Sequence, residues 1–188
     1  MQYYTFSRLA LDDTVKEIAA IPNTVYFVHL VDSDHASAFD FSFHQFIAIY
    51  SAHFRLQPET IYIHTNVEDH VAKEILENTT NPYTLAINKL PKVKFNYHAA
   101  PNKNLSGIDI ALLPHRSDFV RTAVPEKVGG TYLDDDVYVL RDLRALSRLG
   151  FENIIGEQKY GKICNAVIMA TPQNNDDASI PDPARCRF

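Results

Sequence analysis

The sequence predicts an α/β domain built around a mainly parallel sheet. Three observations carry this. Apolar, β-branched segments alternate with segments whose apolar residues recur every three or four positions, the order of successive βαβ units. The β segments are almost continuously apolar, as strands covered on both faces are. The chain has 188 residues, 46% hydrophobic and 22% charged, which suits one domain with a substantial core.

In chain order, residues 1–20 read as an amphipathic helical segment, with Leu9, Val15, Ile18 and Ala19 on its apolar side; Ile21-Pro22-Asn23 then punctuates. Thr24 to Val31 (TVYFVHLV) is the first strand, and Asp32 to Asp40 a polar loop. From Phe41 to Leu56 the apolar spacing predicts a helix, with the aromatic stripe Phe43, Phe46, Tyr50 and Phe54 expected in the core. Pro58 closes it. Thr60 to His64 is a second strand, Val67 to Thr79 a helix, and Val93 to His98 a third strand before the polar loop at 101–107. His115 to Val128 reads as a helix ended by Gly129-Gly130. Thr131 to Leu133 is a short strand running into Asp134-Asp135-Asp136, with Val137 to Leu140 continuing extended. Ile163 to Ala170 is the last strand, with Cys164 a small buried hydrophobe. Residues 172–188 are proline-rich and nearly free of apolar side chains, so a disordered tail is expected there. The domain itself is expected over 21–171.

Charge and cysteine content exclude several classes. With 18 basic and 23 acidic side chains the formal net charge is −5, and no basic stripe offers itself to nucleic acid. No segment supplies the ~20 apolar residues of a membrane span, and the charged first twenty residues leave no signal-peptide core, so the chain as given is expected to be soluble. The two cysteines exclude a disulfide scaffold, and the eight histidines show no paired zinc spacing. Asn78-Thr79-Thr80 and Asn104-Leu105-Ser106 have the form of N-glycosylation acceptors.

The chemistry concentrates between His115 and Asp136 (HRSDFVRTAVPEKVGGTYLDDD). Neighbouring carboxylates repel one another unless a cation sits among them. Mg²⁺ or Mn²⁺ takes one or two such oxygens and completes its shell with phosphate and water. Alone, an acidic triplet is a solvated turn; here it lies between the apolar segments TYL and VYVL, at the carboxyl edge of a strand, where α/β sheets bind ligands. On the preceding helix Ser117 is the N-cap candidate, Asp118 falls in the first turn, and Arg121, three residues on, shares its face.

Together, H-R-S-D-F-V-R and G-G-T-Y-L-D-D-D resemble the motif of glycosyltransferases with a DXD sugar-binding region, a group that includes fungal mannosyltransferases and inositol-phosphorylceramide mannosyltransferases and, more distantly, the glucosyltransferase domains of large clostridial toxins. The resemblance implies a GT-A type, Rossmann-like fold and a retaining, metal-dependent transfer of a hexose, mannose by family habit, from GDP-mannose or a UDP-hexose to a glycan or glycolipid acceptor. By it, Asp136 coordinates Mn²⁺ or Mg²⁺ with the diphosphate, and Asp134 meets the donor ribose or the metal shell. Asp118 and Arg121 hold sugar hydroxyls and the phosphate side. Ser117 and Tyr132 line the nucleotide site, Val28, His29 and Leu30 lie near the base, and Asn165 lies near the donor sugar. A Golgi or secretory location follows from the same resemblance.

Two other readings stay open. Relatives continue past the Asn165 strand, so the domain is expected to be incomplete at its C-terminus, and the chain is then a truncated, non-catalytic donor-binding relative. The pattern D-x-D-x-V after an apolar strand also resembles the nucleophile motif of haloacid dehalogenase-type phosphatases. Pro125, inside the predicted helix, is expected to kink or shorten it.

Overall fold

The structure is a computed structural model that describes residues 20–32, 39–103, 107–158 and 162–172. The predicted helical segment 1–20, all but its last residue, and the tail beyond Pro172 lie outside these residues. The elements run β1 (Thr24–Val28), α1 (Phe43–Leu56), β2 (Thr60–Thr65), α2 (Asp69–Asn78), α3 (Pro82–Asn88), β3 (Val93–Tyr97), α4 (Leu113–Val128), β4 (Gly130–Leu133), β5 (Asn153–Gln158) and β6 (Lys162–Ala170). They form one sheet in the order β3-β2-β1-β4-β6-β5. The first four strands are parallel, whereas β6 runs antiparallel to β4 and β5 antiparallel to β6.

Strand β1 is central and lies between helical layers. Val25 and Phe27 point to one face and Tyr26 and Val28 to the other, so the period of two produces two separate cores. On one side α1, α2 and α3 contribute Ala48, Ile49, Ala52, Leu56, Ala72, Leu76 and Ile87; on the other α4 contributes Val120 and Val124. No helix among the described residues is long and apolar enough to cross a membrane.

Helix α1 corrects one expectation. Phe43, Tyr50 and Phe54 are 50%, 44% and 58% exposed, while Ala48, Ile49 and Ala52 are fully buried. Small side chains let the helix approach the sheet closely; Phe43, Tyr50 and Phe54 stay outside, Tyr50 stacking on Phe54 and Phe43 lying against Tyr83 of α3, while Phe46, partly buried, packs against the core as expected. Helix α3, strand β5 and a one-turn 3₁₀ helix at Leu146–Arg148 escaped the sequence reading. Val137 to Leu140, expected to continue extended, instead leaves a turn closed by the Val137 N–H to the Asp134 carbonyl at 3.0 Å. Cys164, expected to be buried, is half-buried on the strand beside the edge.

The passage from α4 to β4 positions everything that follows. Helix α4 continues through Pro125 to Val128 rather than stopping short, and the Arg121 carbonyl gives up its usual N–H partner in doing so. Gly129 and Gly130 have φ of +70° and +116°, where a side chain is strained. A Cβ on Gly130 would lie 2.6 Å from Tyr26 Cε2 and 2.8 Å from the Thr24 carbonyl oxygen. The tight reversal brings α4 back across β4, with its N-terminal half over the carboxyl end of that strand.

Candidate donor-binding site

At that end the side chains converge on Arg121, which is 13% exposed. Its Nη1 reaches both oxygens of Asp134, at 2.9 and 3.0 Å, and lies 3.4 Å from Asn165 Oδ1. Its Nη2 donates to Ser117 Oγ at 3.0 Å. Nε sits 3.4 Å from Asp118 Oδ1, off the line of a hydrogen bond, so this contact is an ion pair alone. The Asn165 amide donates to the same Asp118 oxygen at 3.1 Å, which closes the ring of contacts. Tyr132 donates a short hydrogen bond to Asp134, and the guanidinium stacks over its ring at 5.3 Å.

The electrostatics follow from this enclosure. Burial pushes the Asp134 carboxyl up from its ordinary value, and the Tyr132 hydroxyl and the Arg121 charge pull it back. Burial, then the adjacent Asp134 charge, pushes the Tyr132 phenol up, so it stays a donor. Both Asp134 oxygens therefore already accept hydrogen bonds from within the protein.

The other two acids of the triplet behave differently. Asp135 Oδ2 accepts from Gln45 Nε2 at 2.6 Å, and the same amide lies 3.3 Å from His29 Nδ1. His29 Nε2 lies 3.2 Å from the Phe39 carbonyl oxygen. Taken together these contacts assign a neutral His29 with its proton on Nε2, and burial holds its pKa below the ordinary value. Gln45 also completes the capping box of α1 through its Oε1, which accepts from the Ser42 N–H at 2.8 Å. Asp136 is exposed and makes no hydrogen bond or ion pair with any described residue.

A cleft of about 260 Å³ opens in front of this network. Val28, His29 and Leu30 at the carboxyl end of β1 form one wall, Leu113, Pro114, Ser117 and Arg121 of α4 the other, and Asp134 and Asp135 the floor, with Gln45 beside them. Of the residues singled out in the sequence, Val28, His29, Leu30, Ser117, Arg121 and Asp134 line the cleft. Asp118, Tyr132 and Asn165 join through the network, and Asp136 stands on the turn beyond. Gln45 and Asp135 are additions; the Ser42-x-x-Gln45 capping pattern was visible in the sequence, but its contact with the acids was not.

One local expectation fails. Ser117 is not the N-cap and Asp118 is not in the first turn. The helix begins at Leu113, where Pro114 presets the first-turn backbone, and Leu112 is the cap without a side-chain bond. Ser117 Oγ instead donates to the Pro114 carbonyl at 2.8 Å, which orients it to accept from Arg121.

Among the described residues no group of three or more His, Cys, Asp or Glu is placed to hold a metal ion. The protein's share of a Mg²⁺ or Mn²⁺ shell need be only one or two carboxylates, with substrate phosphate supplying the rest. The free carboxylate of Asp136 meets that requirement; Asp134, engaged by Arg121 and Tyr132, keeps a lone pair on Oδ2, which accepts a single hydrogen bond.

Residues 44–160, more than half of the chain, match the family described as glycosyltransferase sugar-binding region containing DXD motif. No curated protein matches. Among solved structures the chain is similar to "PaToxG Glycosyltransferase", with a TM-score of 0.51 and 14% identity over 82% of this chain and 56% of that one. At that identity the likeness speaks for the fold alone, and it bears out the GT-A type α/β domain. The chain spans little more than half the length of that structure. The match spans more than half of the chain and includes Ser117, Asp118, Arg121, Tyr132 and the Asp134–Asp136 acids, with Asn165 beyond its end, so the chain belongs to the glycosyltransferase family with a DXD-containing sugar-binding region.

Proposed function

We propose that the chain binds a nucleotide-diphosphate sugar across the β1–β4 edge and transfers its hexose, with retention, to a glycan or glycolipid acceptor. The observation that carries this is the convergence of one guanidinium and an acid network on a cleft at the carboxyl ends of parallel strands. The cleft, about 260 Å³, is short of the ~300–1,000 Å³ of a typical small-molecule pocket, so a donor of this size extends beyond it toward the exposed Asp136.

In this reading Val28, His29 and Leu30 receive the base and Ser117 borders the diphosphate. Arg121 carries five N–H donors and commits only part of them to Asp134, Ser117 and Asn165, so a remaining Nη2 N–H is left for phosphate. Tyr132 and Asp134 act by fixing Arg121, while Asp118 and Asn165 offer groups to sugar hydroxyls. Mn²⁺ or Mg²⁺ is held by Asp136 together with the donor phosphates. A bound metal supplies Lewis-acid stabilisation of the negative charge that develops on the departing diphosphate. A front-face retaining route needs no protein base, and none is assigned. GDP-mannose is favoured over UDP-hexoses, and a Golgi or secretory location over others, by family habit alone.

Titration calorimetry with GDP and UDP, each with and without Mn²⁺, tests the reading. One nucleotide is expected to bind at least about tenfold more tightly with the metal. Failure of both nucleotides to bind overturns the donor site; metal-independent binding overturns the role of Asp136. A non-catalytic donor-binding relative is favoured by one observation: Asp134 is engaged, so a single free carboxylate remains beside the cleft. Mn²⁺-dependent binding without turnover of any sugar nucleotide would select it. A dehalogenase-type nucleophile needs a free carboxylate, which Asp134 lacks, and the family match leaves that alternative without support.

A further inference from the structure

A second and larger cleft, about 610 Å³, lies on the other side of Asp118. Its outer wall is the 109–112 segment, with Asp109, Ile110 and Leu112; its inner wall is the face of α4 that carries His115, Asp118 and Phe119. The spacing explains the second wall, because residues at i, i+3 and i+4 share one side of a helix. The outer wall is held in place: the Ile110 N–H donates to the Asn102 carbonyl at 2.7 Å, and Arg116 Nε donates to the Ile110 carbonyl at 2.9 Å. Phe119 is 38% exposed and Leu112 57%, so an apolar surface faces the opening.

Resting on the donor reading above, we propose that this cleft is the acceptor subsite and that it takes a neutral glycan. Three features converge. Transfer requires the acceptor oxygen near the anomeric carbon, so the acceptor must sit against the donor site. The second cleft meets that condition through Asp118, whose Oδ1 belongs to the Arg121–Asn165 ring while the residue also lines the cleft. Next, an aromatic ring beside carboxylates suits a sugar, whose C–H face packs on the ring while its hydroxyls donate to the acids. Finally, the charged side chains lining the cleft are the acids Asp109 and Asp118, and no Lys or Arg among the described residues lines it. Lys103 approaches Asp109 only to 4.0 Å, with both side chains mostly exposed. An anionic headgroup such as a phosphoinositol would meet like charge, so this surface selects against it.

The step balances within the proposed reaction. The acceptor hydroxyl oxygen bonds to the anomeric carbon as the bond from that carbon to the phosphate oxygen breaks. The bonding pair leaves with the nucleoside diphosphate, and the hydroxyl proton passes to the departing phosphate oxygen.

Saturation-transfer NMR with a neutral mannose trisaccharide and with mannose 6-phosphate tests the proposal on the full chain. The trisaccharide is expected to bind the wild type and to bind Phe119→Ala about tenfold more weakly. Mannose 6-phosphate is expected to bind the wild type more weakly than the trisaccharide does, and to gain affinity in Asp109→Lys; this gain cannot arise from misfolding. Absence of trisaccharide binding to the wild type, no loss in Phe119→Ala, or preference of the wild type for the phosphorylated sugar overturns the proposal. The nucleotide titration reports separately on the donor site, so failure of one does not imitate failure of the other.

Discussion

On the face covered by α1, α2 and α3 the sheet presents Val25, Phe27, Ile61, Ile63 and Leu133, none more than 1% exposed. On the face covered by α4 the same strands present Tyr26, Tyr62 and His64, which stack or tilt against one another at centroid distances near 6 Å, and Tyr132, whose ring lies under the Arg121 guanidinium. The first face is hydrocarbon and places no demand on polar partners. The second buries hydroxyls and imidazoles beneath the helix that carries Ser117, Asp118 and Arg121. The contrast teaches a division of labour: burial of apolar area holds the fold on one side, while the other gives up part of that gain to support a charged network.

The largest effect that tests this division is on the hydrocarbon side. Ile49→Ala, at a fully buried position on α1, is expected to cost about 2–5 kcal/mol in a urea unfolding curve. A loss below about 1 kcal/mol would mean that the α1 face is not the main source of stability. Next is Arg121→Met, which keeps the apolar stem and removes the charge. Removing one partner of a fully buried pair costs ~3–5 kcal/mol; the Asp134 side chain is 23% exposed, so about 1–3 kcal/mol is expected. The same variant should lose nucleotide affinity by more than about tenfold, whereas Ile49→Ala should lose none in its folded fraction. If Arg121→Met kept its nucleotide affinity, the network would be structural only.

Acid should separate the faces further. His64 is fully buried on the α4 side; burial first, then the neighbouring His98, lowers its pKa from 6.5 to about 3. Asn96 pairs with its Nδ1 at 3.2 Å, and its Nε2 has no hydrogen-bond partner among the described residues. The depressed value belongs to the folded state, so between pH 6.5 and about 3 the unfolded chain binds the extra proton and stability falls as pH falls. At pH 5 this amounts to about 2 kcal/mol for His64. His98 acts in the same direction, also chiefly through burial. Urea midpoints for His64→Leu should therefore drop less between pH 7 and pH 5 than those of the wild type. An equal drop would place the acid sensitivity elsewhere.

The sequence made some of this legible and concealed the rest, for identifiable reasons. Central strands were readable because both faces of β1 and β2 are covered, which leaves an apolar run. Edge strand β5 was not: its pairing with β6 shifts register between Ile155 and Gly156, which interrupts any alternation. Helix α3 has seven residues, too few for a periodic pattern, although Asn81-Pro82 states its start, and the Asn81 side chain does cap it. Periodicity located the aromatic stripe of α1 without saying which stripe lies inward; the small residues Ala48 and Ala52 decide that. Ser117, Asp118, Arg121 and Asp134 were found because they lie close together in sequence. Gln45 meets Asp135 across 90 residues, a contact no local pattern announces.

The smallest effect on stability is expected where the effect on binding is large. Asp136 is exposed and unpaired, so Asp136→Asn should change stability by no more than about 0.5 kcal/mol. The sign should be slightly favourable, because the Asp136 charge adds to what pushes the Asp134 carboxyl up. The same change removes the one free carboxylate of the triplet, and Mn²⁺-dependent nucleotide binding should fall at least about tenfold. Asp134→Asn should behave in the opposite way. It strips Arg121 of its carboxylate partner and Tyr132 of its acceptor, so it should destabilise, and it should weaken nucleotide binding with or without metal. Melting curves and calorimetry on this pair of variants distinguish the acid that holds the arginine from the acid that holds the ion. If the two variants matched in both measurements, the structural difference between Asp134 and Asp136 would have no functional counterpart.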